Sequence, residues 1–345
     1  MLFLVVFNPS NCNGPVNPQG KNKLGQKDCT IRTVSGSVAS GEAIEYTMSN
    51  AADKMAIDSL LYIDLTPLEF GPIETYDLPL GRHILKAKYV YADSSRCEST
   101  WTVEVRSDIQ PTLKGYEVVS MIDHDPAAYT QGLVWNEGRL YEGTGQYGES
   151  FIRNYSPEDL DYMQHTEMPI DQFGEGITIL GDKLYQLTWK AKKGYVYDLE
   201  SMELLSEFDT PMEEGWGLTD DGSSLIMSDG TNMLYYMDPV TFEVTRKQSV
   251  YNSEGPENLI NEMEYVNGYI YANIYGQPVI AQIEASTGKT IAYVDCRGIL
   301  PPQFNTAEQD VFNGIAYDPR RQTFFVTGKY WSKMFEVRFL AKELS

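Results

Sequence analysis

Along the last two thirds of the chain, apolar residues come in short runs that repeat one template. A polar or aromatic residue, usually followed by glycine, precedes two apolar positions, a turn, and an apolar-aromatic strand. The template opens at Gln131-Gly132-Leu133, Glu175-Gly176-Ile177, Trp216-Gly217-Leu218, Asn261-Glu262-Met263 and Asn313-Gly314-Ile315, with successive starts 44, 41, 45 and 52 residues apart. The second strands fall at Tyr141–Gly145, Tyr185–Trp189, Ile226–Gly230, Tyr271–Tyr275 and Phe325–Lys329, nine residues after the glycine-like position in four copies and eleven in the last. A strand-built repeat of roughly 40–50 residues is the signature of one four-stranded propeller blade. The pattern therefore predicts five blades over residues 115–345, with Tyr116–Asp123 closing the last blade beside the carboxy-terminal strands.

Ahead of the repeats, short strands are expected at Thr30–Val34, Ala43–Met48, Leu60–Leu65, Ile84–Tyr91 and Thr100–Val105, without a helix of useful length. In the fourth, Leu85, Ala87, Tyr89 and Tyr91 alternate with Lys86, Lys88 and Val90, the period of a half-buried strand. Residues 27–107 read as a small immunoglobulin-like sandwich, and 108–114, with Pro111, as a linker. The fold class is all-β, a five-bladed β-propeller preceded by a sandwich. Residues 1–26 pair an apolar run, Leu2–Phe7, with an Asn/Pro/Gly-rich segment. The run is too short to span a bilayer and reads as the tail of a secretory signal, so export to the periplasm or cell surface is expected. Cys12 is a candidate lipid anchor, although Pro9-Ser10-Asn11 make a poor lipoprotein box.

A propeller surrounds its channel with its innermost strands, so repeat-equivalent positions converge on one axis. Gln131, Glu175, Trp216, Asn261 and Asn313 are expected there from the first strands. Gly145, Trp189, Gly230, Tyr275 and Lys329 are expected from the ends of the second. A structural axis needs only small or apolar residues, so this polar and aromatic set marks a site. The net charge of −22 argues against nucleic acid and anionic membranes. It attracts a cationic group such as a peptide amino terminus, within the ~10 Å reach that salt allows. Cys12, Cys29, Cys97 and Cys296 form no CxxC pair, and His83, His124 and His165 stand apart, so no metal or other cofactor is expected. Cys29 and Cys97 bracket one segment and are candidates to pair in an oxidising compartment.

Several motifs in order, Tyr129-Thr-Gln-Gly-Leu133, Leu140-Tyr-Glu-Gly-Thr-Gly-Gln-Tyr-Gly148, Phe173-Gly-Glu-Gly176, Lys183-Leu-Tyr-Gln-Leu-Thr-Trp189, Gly215-Trp-Gly-Leu218, Asn261-Glu-Met-Glu264, Phe312-Asn-Gly-Ile-Ala-Tyr-Asp318 and Val326-Thr-Gly-Lys329, resemble the glutaminyl-peptide cyclotransferases of the plant and bacterial type. The resemblance covers roughly Tyr116 to Phe339. It implies a five-bladed propeller without a catalytic metal that converts an amino-terminal glutamine of a peptide or protein into pyroglutamate, releasing ammonia. By that resemblance Glu175 is the acid/base carboxylate, and Gln131, Phe173, Trp189, Trp216, Asn261 and Lys329 line the site. Tyr275 falls where the family has tryptophan, and Tyr129 where phenylalanine is usual. The family's minimal form lacks the sandwich.

The chemistry such a site must perform is attack of the α-amine on the γ-carboxamide through a tetrahedral oxyanion. The candidate catalytic residues are Glu175, Lys329 and Asn261. The candidate substrate-binding residues are Gln131, Phe173, Trp189, Trp216, Tyr275 and Glu142, the last being equally readable as a carboxylate that braces a blade. Lys329 has two opposed effects, countering an oxyanion and lowering the Glu175 pKa. The expected partners are peptides or proteins with amino-terminal glutamine, acted on by a monomer. Two alternatives use the same residues: a non-catalytic propeller that captures peptide termini or small ligands, and a propeller hydrolase, which usually gathers several carboxylates around calcium.

Overall fold

The computed structural model describes residues 29–50, 56–158 and 162–343, so Cys12 and the signal-like segment lie outside the described residues. The structure is all-β. Among the described residues the sole helical element is a 3-10 turn at Pro302–Phe304. The described residues divide into two compact units, one drawn from 29–32, 46–70 and 84–101, the other from 33–45, 71–83 and 102–343.

In the smaller unit, strand Ala56–Ile63 pairs with Thr66–Leu68 on one side and with the Leu85–Tyr91 part of its neighbour on the other. Alternation puts Leu61, Ile63, Leu85, Ala87, Tyr89 and Tyr91 inside, as the period of two requires. Cys29 and Cys97 form a disulfide.

The larger unit contains five antiparallel runs of four strands. The first runs outward from Thr130–Asn136 through Arg139–Thr144 and Phe151–Tyr155 to Tyr162–Glu167. The second, third and fourth begin with inner strands Gly174–Leu180, Leu218–Asp220 and Ile260–Val266. The fifth begins with Phe312–Asp318 and takes its outermost strand, Thr112–Asp123, from the other end of the chain, pairing Tyr116 with Phe339 and Met121 with Phe335. That strand starts at Thr112 rather than Tyr116, because Thr112–Lys114 also pair in parallel with Ala292–Val294 and join the fourth and fifth runs into one eight-stranded sheet.

The five inner strands contact one another in cyclic order, the fifth returning to the first. A separate apolar core fills each gap between neighbours. Examples are Tyr141, Ile177 and Tyr195 between the first and second runs, and Leu133, Phe325 and Met334 between the fifth and first. The repeated glycine is explained by this crowding: a Cβ on Gly217 would stand 1.8 Å from the Asn261 carbonyl oxygen. Glu262 occupies the equivalent place in the fourth run. Its two carboxylate oxygens accept the Leu133 and Ile315 amides at 3.2 and 2.7 Å, tying the fourth inner strand to the first and fifth.

Candidate active site

An antiparallel pair brings the start of one strand opposite the end of the next, so both recurring ends of the template meet at one end of the ring. Trp189 donates its amide to the Phe173 carbonyl, Tyr275 to Leu259 and Lys329 to Val311. The starts of four inner strands are bulged: pairing slips around Gln131, Glu175-Gly176, Asn261-Glu262 and Asn313-Gly314. A bulge inserts an unpaired residue and re-aims its side chain. Here it turns Gln131, Glu175 and Asn261 into a cavity of about 250 Å³.

That cavity is lined by Tyr129, Gln131, Gln146, Phe173, Glu175, Trp189, Trp216, Asn261, Tyr275 and Lys329. Eight of the nine candidate residues are therefore together. Of the remaining axial expectations, Asn313 is fully buried and donates Nδ2 to the Thr130 carbonyl at 3.0 Å. Gly145 and Gly230 are the positions where no side chain fits: a Cβ would stand 2.3 Å from the Phe173 ring at the first and 2.7 Å from the Trp216 ring at the second.

Glu142 stands apart from the other eight candidates. It is fully buried in the middle of strand Arg139–Thr144 and does not line the cavity. Its oxygens accept from Thr130 Oγ1 at 2.7 Å and from Arg153 Nε and Nη2 at 2.9 and 2.7 Å, and His124 Nε2 lies 2.8 Å away. Arg153 also bonds Asp125 at 2.7 Å. Burial alone would raise the Glu142 pKa, but Arg153 and His124 outweigh it and hold the carboxyl far below its ordinary range. The bracing reading is the one that matches these contacts.

Glu175 is 4% exposed and Lys329 2%. Burial pushes the Glu175 carboxyl well above its usual range; the Lys329 ammonium opposes that shift and the Glu214 carboxylate adds to it. Burial likewise lowers the Lys329 pKa against the pull of Glu175 and Asp310. The lowering of the Glu175 pKa expected from Lys329 is present, and desolvation outweighs it. The Lys329 ammonium sits 4.5 Å from the Tyr129 ring centroid and 5.4 Å from that of Tyr275, within reach of cation–π attraction. Asn261 Oδ1 is buried and has no hydrogen-bond partner, an acceptor left open beside the cavity.

The walls are aromatic. Phe173 packs on Trp189 at 5.5 Å between centroids, and Trp216 meets Tyr275 edge-on at 5.5 Å. Four contributors escape the repeat template. Tyr129 bonds Asp310 at 3.3 Å, Gln146 lines the cavity from a left-handed turn (φ 96°), and Glu214 bonds both indoles. Among the described residues, no group of three or more His, Cys, Asp or Glu side chains is arranged to hold a metal ion.

A family model described as glutamine cyclotransferase matches residues 92–339. The chain belongs to that family. A glutaminyl-peptide cyclotransferase of Arabidopsis thaliana is 37% identical over 241 residues, spanning 67% of this chain and 73% of that protein. The crystal structure of Myxococcus xanthus glutaminyl cyclase superposes with a TM-score of 0.63 at 31% identity, covering 68% of this chain and 100% of that one. Residues ahead of 92 fall outside the cyclotransferase match, which includes every residue of the cavity.

Proposed function

We propose that the larger unit is a five-bladed propeller and that this cyclotransferase-family chain converts the amino-terminal glutamine of peptides or proteins into pyroglutamate at the Glu175 cavity. The observation that carries the reading is a buried carboxyl that shares an indole-walled cavity with a buried lysine, a setting in which burial raises the carboxyl's pKa. A site built only to capture an ammonium gains from a carboxylate that stays ionised. One that must take a proton and give it back gains from a carboxyl that titrates near the working pH.

The steps follow from the placement. Asn261 Oδ1 and Gln131 orient the substrate's α-amine and γ-carboxamide in the attacking conformer, and the indoles exclude water. The amine nitrogen bonds to the carbonyl carbon of the γ-carboxamide while Glu175 takes one of its protons. The carbonyl electron pair moves onto oxygen, where the Lys329 ammonium opposes the charge. Collapse breaks the bond from that carbonyl carbon to its amide nitrogen, Glu175 returns the proton to that nitrogen, and ammonia leaves. A positioned acid/base group contributes about 10²- to 10⁴-fold, and tethering of the nucleophile supplies much of the rest.

We read residues 27–107, which include the strands of the smaller unit, as an immunoglobulin-like sandwich that serves as a support or partner-contact module. The Cys29–Cys97 disulfide favours an oxidising, exported location. The activity is tested by incubating the protein with a Gln-initiated peptide and following ammonia release and the matching mass loss, with an N-acetylated copy as control. Turnover of the free peptide alone is the expected result. Equal ammonia release from the acetylated copy would mean hydrolysis, not cyclisation.

A further inference from the structure

Glu214 precedes Trp216 by two residues and does not line the cavity. Its Oε2 nevertheless accepts both indole N–H groups of the wall, Trp189 Nε1 at 2.9 Å and Trp216 Nε1 at 3.1 Å. Its other oxygen pairs with Lys190 Nζ at 3.5 Å, and that ammonium lies 3.7 Å from the Trp189 ring centroid. The two tryptophans come from different sheets, and the backbone bond from the Gly215 amide to the Trp189 carbonyl joins the segments below the rings. One carboxylate oxygen thus sets the orientation of two rings that have no other polar handle, since an indole N–H is donor only.

We propose that Glu214 is a positioning residue for the cyclisation, clamping Trp189 and Trp216 into one wall against Glu175 and adding a fixed negative charge behind it. The inference rests on the Glu175 cavity being the reaction site. Charged hydrogen bonds are the strong kind, and both are made by a side chain still a third exposed, so the clamp is reachable by mutation without opening the core. The charged groups acting on Glu175 are Lys329 and Glu214, with Asp310 acting on Lys329 from beyond it. Removing the Glu214 charge therefore eases ionisation of Glu175.

The test compares Glu214→Gln and Glu214→Ala with wild type in kcat, KM, the pH profile of kcat/KM and near-ultraviolet circular dichroism, with Glu175→Gln run alongside. The alanine variant is expected to lose about 10- to 100-fold in kcat/KM, the equivalent of one full-strength charge-assisted bond shared over the two that a partly exposed carboxylate makes, with an altered tryptophan signal. The glutamine variant keeps an acceptor oxygen and is expected to stay within about threefold while its acid limb moves to lower pH. A wild-type kcat/KM and tryptophan signal in the alanine variant overturns the clamp. Equal losses in both variants with an unmoved acid limb assign Glu214 a purely structural role and also overturn it. Should the alanine variant not fold, the acid limb of the glutamine variant decides alone. Wild-type turnover in Glu175→Gln would instead refute the site on which the inference rests.

Discussion

Gly145→Ala separates the geometry of the site from its chemistry. Gly145 lies just past the second strand of the first run, and its φ is not left-handed, so alanine fits the backbone. The amide bond to the Tyr129 carbonyl, 2.9 Å, is kept. The new Cβ would nevertheless stand 2.3 Å from Phe173 Cε1, 2.7 Å from Cζ and 3.1 Å from Gln131 Cγ, where ordinary contact begins at 3.4 Å. The phenylalanine ring must retreat by about 1 Å, and it is held by Tyr147 at 5.5 Å and Trp189 at 5.5 Å. Overpacking of this kind costs about 1–3 kcal/mol, or roughly 2–12 °C in Tm at about 2–4 °C per kcal/mol. The larger effect is on catalysis, because a 1 Å misplacement of a positioned group costs about 10²-fold in rate. Steady-state kinetics on a Gln-initiated peptide below the Tm of both proteins should show kcat/KM down by about two decades, and trimming the ring in Gly145→Ala/Phe173→Leu should recover part of it. A single variant with wild-type kcat/KM would refute the claim that Phe173 is fixed against Gly145 and that its place matters.

Two further predictions use the buried charges. Glu142→Ala removes the buried carboxylate that neutralises Arg153 and contacts His124 and Thr130, which should cost about 3–5 kcal/mol and lower Tm substantially at neutral pH. A raised KM at unchanged Tm would return Glu142 to the substrate. For Glu175 the folded pKa is raised, so its contribution to stability is complete below the unfolded glutamate pKa and is lost as pH rises through the folded value. Glu175→Gln should therefore gain Tm relative to wild type as pH rises across that window, and the acid limb of wild-type kcat/KM should lie above the ordinary glutamate range. A Tm difference that ignores pH, or an acid limb at an unperturbed carboxyl, would contradict the burial argument.

Much of this was readable along the chain because crowding at the axis leaves a periodic mark. Gly176 and Gly217 recur where the next inner strand passes too close for a Cβ, and the second strands follow at a fixed offset. The bulges that turn Gln131, Glu175 and Asn261 inward are a matter of pairing register and left no mark beyond the residues themselves. Glu142 was readable as a site carboxylate or as a brace because its neutralising partner is eleven residues away; the direct cross-strand pairing of Glu142 with Arg153 accounts for the brace. Glu214, Gln146 and Asp310 sit in segments outside the template, where spacing carries no information and only the fold brings them to the indoles and to Tyr129. The strand over Thr112–Lys114 was hidden by Pro111 beside it and by pairing to a partner 180 residues away.

The most direct measurement is turnover of a Gln-initiated peptide by Glu175→Gln beside wild type, with circular dichroism and tryptophan spectra establishing that both are folded. The proton-transfer role predicts a fall of at least about 10²-fold in kcat, with the peptide still bound. Near wild-type kcat in the folded variant would contradict the assignment of the reaction to this carboxyl.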